Sequence, residues 1–131
     1  MPRLMSVALT EQAVRDRRKT VTRRLGWKFL KPGDRLTLCR KVQGRSRIAE
    51  DGSRYVEPIE RLAEVEVVSV RREPLCAVAG NASDLGRAEV EREGFPGRDG
   101  PWFIDFFREH MGCDAMTEVN RIEWRYLEAS S

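Results

Sequence analysis

Four stretches of this chain alternate apolar and polar residues with a period of two, and that period is a β-strand's, because successive side chains of a strand point to opposite faces. In "RLMSVAL" Met5, Val7 and Leu9 alternate with Leu4, Ser6 and Ala8, with enough apolar residues on both sides for a mostly buried strand running to Leu9. "KPGDRLTLCRKV" turns at Pro32-Gly33-Asp34, after which Leu36 and Leu38 alternate with Thr37 and Cys39. "RLAEVEVVSV" sets Ala63, Val65 and Val67 against Glu64 and Glu66 until Val68 and Val70 interrupt the polar side, which burial on both faces or a bulge explains. "EVNRIEWRYLE" closes the series, with Ile122, Trp124 and Tyr126 opposed to Arg121, Glu123 and Arg125.

Helical signals fall between these strands. Thr10 is suited to an N-cap, Glu11 to the first turn, and "EQAVRDRRK" to two or three turns that deliver Lys19 near the C-terminus. "NASDLGRAEVEREGF" holds a second helix capped at Ser83, weakened by Gly86. "GPWFIDFFREHMG" has Pro101 at its start and Gly112 past its end, with Phe103, Phe106, Phe107 and His110 on one side. Between two short extended runs, Asp51-Gly52 carries the mark of a type I′ hairpin, an exposed ribbon within roughly residues 42–58. The expected class is α+β, a small mixed β-barrel decorated by about three helices. With 131 residues the chain is expected to form a single domain over 1–131.

Charge is divided unevenly. Residues 1–47 carry 14 basic and 3 acidic side chains, net +11, whereas residues 48–131 carry 10 and 18, net −8. Two solvated faces that attract each other account for such a division, but so concentrated a basic cluster also attracts polyanions, which makes phosphate a candidate partner. Cys39, Cys76 and Cys113 are odd in number and lack C-x-x-C spacing, so neither a disulfide framework nor a zinc site is expected. No carboxylate spacing suggests a metal, and no Gly-rich phosphate loop suggests a nucleotide cofactor, so no cofactor is assigned. The N-terminus lacks an apolar signal segment and no stretch approaches the roughly 20 apolar residues of a membrane span, which points to the cytoplasm.

The densest basic stretch is "RRKTVTRR", Arg17 to Arg24. With the N-terminal strand and helix before it, "KPGDRLTL" after it, and "REGF" before an aromatic helix and last strand, it resembles the ASCH domain, a family of PUA-like β-barrels. The similarity runs over nearly the whole chain. It implies a barrel with a cleft facing nucleic acid or a nucleoside. Family members are associated with RNA binding, some with RNA cleavage, and one branch with removal of the acyl group from N4-acetylcytidine nucleosides. In that branch the family's Lys falls on Lys19, its Thr on Thr22 and its acidic residue on Glu93, with Glu91 as the competing placement. The chain departs at Arg17, where a glycine commonly precedes the family's basic residue and Lys-Thr pair, and in the insert from Val42 to Pro58.

The chemistry expected of these residues is amide hydrolysis: Thr22 offers a hydroxyl nucleophile and Lys19 a base if burial and neighbouring arginines lower its pKa. Glu93 would act as general acid or base, or align a water. Residues i and i+3 of a continuous strand face opposite ways, so Lys19 must end a helix for both to share a pocket. Read without the resemblance, Lys19 is a solvated lysine and Thr22 a strand residue.

For a nucleic-acid partner, Arg17, Arg18, Arg23, Arg24, Lys28, Arg45 and Arg47 are the candidate phosphate contacts, and Trp27 and Tyr55 the candidate stacking rings. Trp27 serves equally as a plug at one end of the barrel. His110, the only histidine, is read as a packing or capping residue. Three functions stand: an amidohydrolase for N4-acylated cytidine, a non-catalytic RNA-binding module, and a ribonuclease using the same basic cleft.

Overall fold

The computed structural model describes residues 3–40, 46–56, 59–80 and 84–128, the side chains of Ser46, Arg47 and Val56 excepted. In chain order the elements are β1 (Arg3–Ser6), a 3-10 turn (Ala8–Thr10), α1 (Glu11–Arg15), β2 (Val21–Arg24) and β3 (Arg35–Cys39). A hairpin of β4 (Ser46–Ile48) and β5 (Arg54–Val56) follows, then β6 (Arg61–Pro74) and a second 3-10 turn (Leu75–Ala79). The chain continues through α2 (Arg87–Arg92), α3 (Gly100–Met111) and β7 (Glu118–Tyr126).

Five strands form one mixed sheet in the order β1-β3-β6-β7-β2, with only the β1–β3 pair parallel. The sheet curls into a half-barrel around Met5, Val7, Leu36, Leu38, Val65, Val67, Ile122 and Trp124, all buried. β6 serves two neighbours, pairing with β3 from Arg61 to Glu66 and with β7 from Val65 to Pro74, so that Val65 and Glu66 lie between both. Its register with β7 shifts between Val67 and Ser69, and Val68 in the gap is 44% exposed. The interruption in the polar face of this segment is therefore a bulge, which bends the strand and helps the sheet curl. Beyond it a second core forms, where Leu75, Val78 and Val119 meet Val90 of α2 and Phe103 and Phe107 of α3. The Asp99 side chain caps α3 by accepting from the Trp102 N–H at 2.9 Å, and Gly112 ends it in the left-handed conformation.

Local readings are corrected at four places. The first strand stops at Ser6 rather than Leu9, and Leu9 stands 65% exposed on the 3-10 turn. Helix α1 spans five residues, and the Thr10 side chain makes no capping bond. It stops because Arg17 adopts φ +59, which cannot continue a right-handed helix. The hairpin is not the two-residue type I′: Ala49 accepts from the Gly52 N–H at 2.9 Å and donates to Ser53 at 2.8 Å, enclosing three residues with Gly52 at φ +88. This is the loop in which a glycine carries a bulge. Helix α2 begins at Arg87 behind Gly86, at φ +76; the expected cap at Ser83 lies outside the described residues.

Gly94 holds the end of α2 against the start of the chain. Its φ is +106, and a Cβ there would lie 2.8 and 2.9 Å from the Thr10 side chain and 3.3 Å from Ala13. We predict that Gly94→Ala lowers stability by about 2 kcal/mol, combining backbone strain with overpacking; thermal or urea unfolding against the wild type measures it.

Candidate functional site

Lys19 reaches the interior because the chain folds back on α1. The N–H groups of Arg18 and Lys19 both bond to the Ala13 carbonyl, at 2.8 and 3.2 Å, around the left-handed turn at Arg17. A non-glycine residue in that conformation stores roughly 1–3 kcal/mol of strain, so the missing glycine noted in the sequence falls on the position whose backbone favours glycine. The Lys19 carbonyl then accepts from Trp124 Nε1 at 3.0 Å and from the Tyr126 hydroxyl at 2.5 Å. Thr20 is pinned on both sides as well: its N–H donates to the Arg92 carbonyl at 2.9 Å and its carbonyl accepts from the Trp124 N–H at 3.0 Å. Lys19 thus lies four residues beyond the end of α1 rather than at its C-terminus, on a turn that folds it inward, and its side chain is 3% exposed rather than solvated.

Lys19, Thr22 and Glu93 line one cavity of about 210 Å³, together with Ser6, Arg23 and Arg24. Its other wall is apolar, built from Phe95 and from Phe103, Phe106, Phe107 and Met111 of α3. The cavity lies at the seam between β1 and β2, the two edges of the curled sheet. Across that seam Arg24 Nη2 donates to the Ser6 carbonyl at 2.7 Å. Arg24 Nε donates to the Thr22 hydroxyl at 3.2 Å. Because that oxygen accepts from Arg24, its own proton is left to be given elsewhere.

Glu93 follows α2 and is 2% exposed, whereas Glu91 is exposed. Its main-chain oxygen takes Lys19 Nζ at 2.5 Å, its carboxylate Oε1 lies 3.5 Å from the same amine, and Oε2 pairs with Arg23 Nη1 at 2.8 Å. Burial, the largest influence, and the charges of Arg24 and Arg23 push Lys19 down to about 8 against the opposing pull of Glu93. Burial also lowers Arg24. Under the cavity Glu89 accepts from Arg121 Nε at 2.6 Å and Arg23 Nη2 at 2.9 Å. Burial pulls Glu89 up, but those hydrogen bonds and charges outweigh it and hold Glu89 at about 2.

The remaining sequence candidates scatter. Arg23, a candidate phosphate contact, has a side chain only 1% exposed and committed to carboxylates. Arg17, Arg18 and Lys28 are exposed, Arg18 pairing with Asp16 at 2.8 Å. Trp27 is half-buried against the barrel core, with Phe29 at 5.6 Å between ring centroids. Tyr55 is 49% exposed on the hairpin and does not line the cavity. Arg45 and the Arg47 side chain lie outside the described residues. His110 Nδ1 lies 2.8 Å from the Phe106 carbonyl. Sequence reasoning missed Glu89, Arg121 and the phenylalanine wall; the four-residue spacing of Glu89 and Glu93, one helical turn, was the available signal for the first. Among the described residues no group of three or more His, Cys, Asp or Glu is placed to hold a metal, and no helix is long and apolar enough to cross a membrane.

A curled mixed sheet with helices over one end and a charged pocket at its seam defines a small PUA-like barrel. No family model and no curated protein matches the sequence. Solved structures do match the fold. Protein EF3133 from Enterococcus faecalis V583, described as DUF984, is similar at TM-score 0.59 and 13% identity, over 97% of this chain and 77% of that one. The hypothetical protein PH0355 is similar at TM-score 0.57 and 16% identity, over 96% of this chain and 97% of that one. An ASCH domain from Lactobacillus crispatus JV V101 is similar at TM-score 0.54 and 11% identity, over 90% and 70%. The chain has an ASCH-like fold.

A lysine whose folded value lies below its ordinary 10.5 binds fewer protons than in the unfolded chain between pH about 8 and 10.5. Its contribution to unfolding free energy therefore rises with pH across that window. Lys19→Met should flatten that rise, measured by urea unfolding of both proteins at several pH values.

Proposed function

We propose that the cavity is a hydrolytic site for a small acylated nucleoside of the N4-acylcytidine type, with Lys19, Thr22 and Glu93 as the working groups. The observation that carries this reading is their enclosure in one pocket at the barrel seam, with the Thr22 hydroxyl accepting from Arg24. The volume of about 210 Å³ lies below the roughly 300 Å³ typical of sites for drug-sized ligands, which favours a base-sized group over a long oligonucleotide. Aromatic rings on the opposite wall suit the flat face of a base.

In the reaction that follows from this placement, neutral Lys19 takes the Thr22 proton as the oxygen attacks the acyl carbon. A C–O bond forms, and the carbonyl becomes an oxyanion beside the Arg24 guanidinium. Collapse breaks the C–N bond, and the proton held by Lys19 passes to the departing amine. Water, its proton taken by Lys19 or Glu93, then cleaves the acyl-threonine to release the acid and restore the hydroxyl.

RNA binding, with or without cleavage, is the second reading, favoured by the exposure of Arg17, Arg18 and Lys28. Against it, Arg23 is turned inward, so the phosphate track is shorter than the sequence suggests. An RNA-binding module would lose affinity steeply with salt, and more steeply than an Arg17→Ala/Arg18→Ala variant.

Incubation with N4-acetylcytidine should release cytidine, at a rate that rises with pH towards a plateau above about 8, where Lys19 is neutral. Lys19→Ala and Thr22→Val should each lower kcat by about 100-fold or more, read by chromatography of the nucleoside. Equal inactivity of wild type and variants on a panel of acylated nucleosides overturns the reading.

A further inference from the structure

Three carboxylates converge on one buried guanidinium beneath the cavity. Arg23 meets Glu93 Oε2 at 2.8 Å, Glu89 Oε1 at 2.9 Å and Glu73 Oε1 at 3.4 Å. Directly opposite in the β2–β7 ladder stands Arg121, and like charges in that position repel. Glu89 resolves the repulsion by accepting from both arginines. Among the described residues the Arg23 Nε is the one buried side-chain polar atom without a hydrogen-bond partner, so the carboxylates at the outer nitrogens fix this guanidinium.

The consequence reaches Lys19 through Glu93. A Glu–Lys pair left to itself at this depth closes to a charge-assisted distance of about 2.7–2.9 Å. Here the carboxylate takes that distance with Arg23 and stands 3.5 Å from the Lys19 amine, which finds its near partner in the Glu93 main-chain oxygen instead. We propose that Arg23 is a positioning residue that draws the Glu93 carboxylate away from Lys19, leaving the amine free to act on Thr22 instead of being locked in an ion pair. The use made of the free amine rests on the hydrolytic reading; the clamp itself does not.

The charged groups around Lys19 are few. β2 supplies Arg23 and Arg24, and the segment after α2 supplies Glu93. The other elements lining the cavity present no titratable side chain to it: Ser6 from β1, Val7 to Thr10 from the turn, and Phe103, Phe106, Phe107 and Met111 from α3. Arg23 acts on Lys19 both through its own charge and through its hold on Glu93, and removing it shifts both effects in the same direction, towards a protonated amine.

The test follows the titration of Lys19 by carbon-13 NMR of lysine-labelled protein, which the presence of four lysines in the chain makes tractable. The wild-type amine should titrate near pH 8. In Arg23→Gln the midpoint should rise by about 1 pH unit or more. Because removing one member of a buried ion network unbalances the rest, the double variant Arg23→Gln/Glu89→Gln, which removes one charge of each sign, is measured beside it and should show the same rise. A wild-type Lys19 that titrates in the ordinary lysine range overturns the proposal whatever the variants do, as does an unchanged midpoint in either variant when folded. The readout needs no substrate. Absence of turnover with the expected titrations removes the hydrolytic reading alone, and turnover with an unmoved midpoint removes the positioning role alone. Where turnover is seen, the pH-rate profile of the folded variant should move to higher pH with the NMR midpoint.

Discussion

Burying the Lys19 amine beside Glu93 is the arrangement on which the rest of the site is built. An isolated charge taken this far from water carries a penalty of several kcal/mol, so the interior has to supply either compensation or a route to neutrality. It does both. The Glu93 backbone oxygen gives the amine a close acceptor, and burial itself, helped by the arginines on β2, brings its neutral form within reach at pH about 8. The scaffold answers the same demand. Trp124 and Tyr126 seize the carbonyl of Lys19 from one side, α1 receives its amide from the other, and Gly94 lets the Glu93 segment approach the Thr10 side chain closely.

The two cores divide the labour. Barrel residues such as Leu36, Leu38 and Ile122 fix the strands that carry Thr22 and Arg24, while the aromatic layer of α3 closes the pocket from above. One strand, β6, runs through both, with the bulge at Val68 marking the passage from one to the other. Polar chemistry is confined to the boundary between these layers, where backbone from β1, β2 and the end of α2 converges and aliphatic packing gives way to charge.

How much of this was legible in the sequence depends on how local the cause is. β7, β3 and α3 follow from periodicity, a proline-glycine turn and flanking cap residues, and the interruption at Val68 was visible because a bulge disturbs a period-2 pattern at the residue where it occurs. The pairing of Lys19 and Thr22 with an acidic residue of "REGF" came from a family resemblance; periodicity alone left both as ordinary surface and strand residues. What stayed hidden was caused at a distance. Helix α1 is cut short because Lys19 is drawn inward by groups 74 to 107 positions away. The burial of Arg23 depends on the β2–β7 register and on α2 lying over it, neither of which a basic run discloses. The five basic residues of that run look alike in sequence, yet Arg17 and Arg18 are exposed whereas Lys19, Arg23 and Arg24 serve the interior.

Arg24 joins the unpaired edge of β1 to that of β2 by donating to the Ser6 carbonyl. Open strand edges invite pairing with foreign strands and hence aggregation. In this chain the two edges face each other across an arginine that also donates to the Thr22 hydroxyl, so a side chain of the cavity wall doubles as a guard against sheet extension. A replacement at this position would therefore have to meet two demands at once, a donor for the Thr22 hydroxyl and a tie across the seam that keeps the chain from associating.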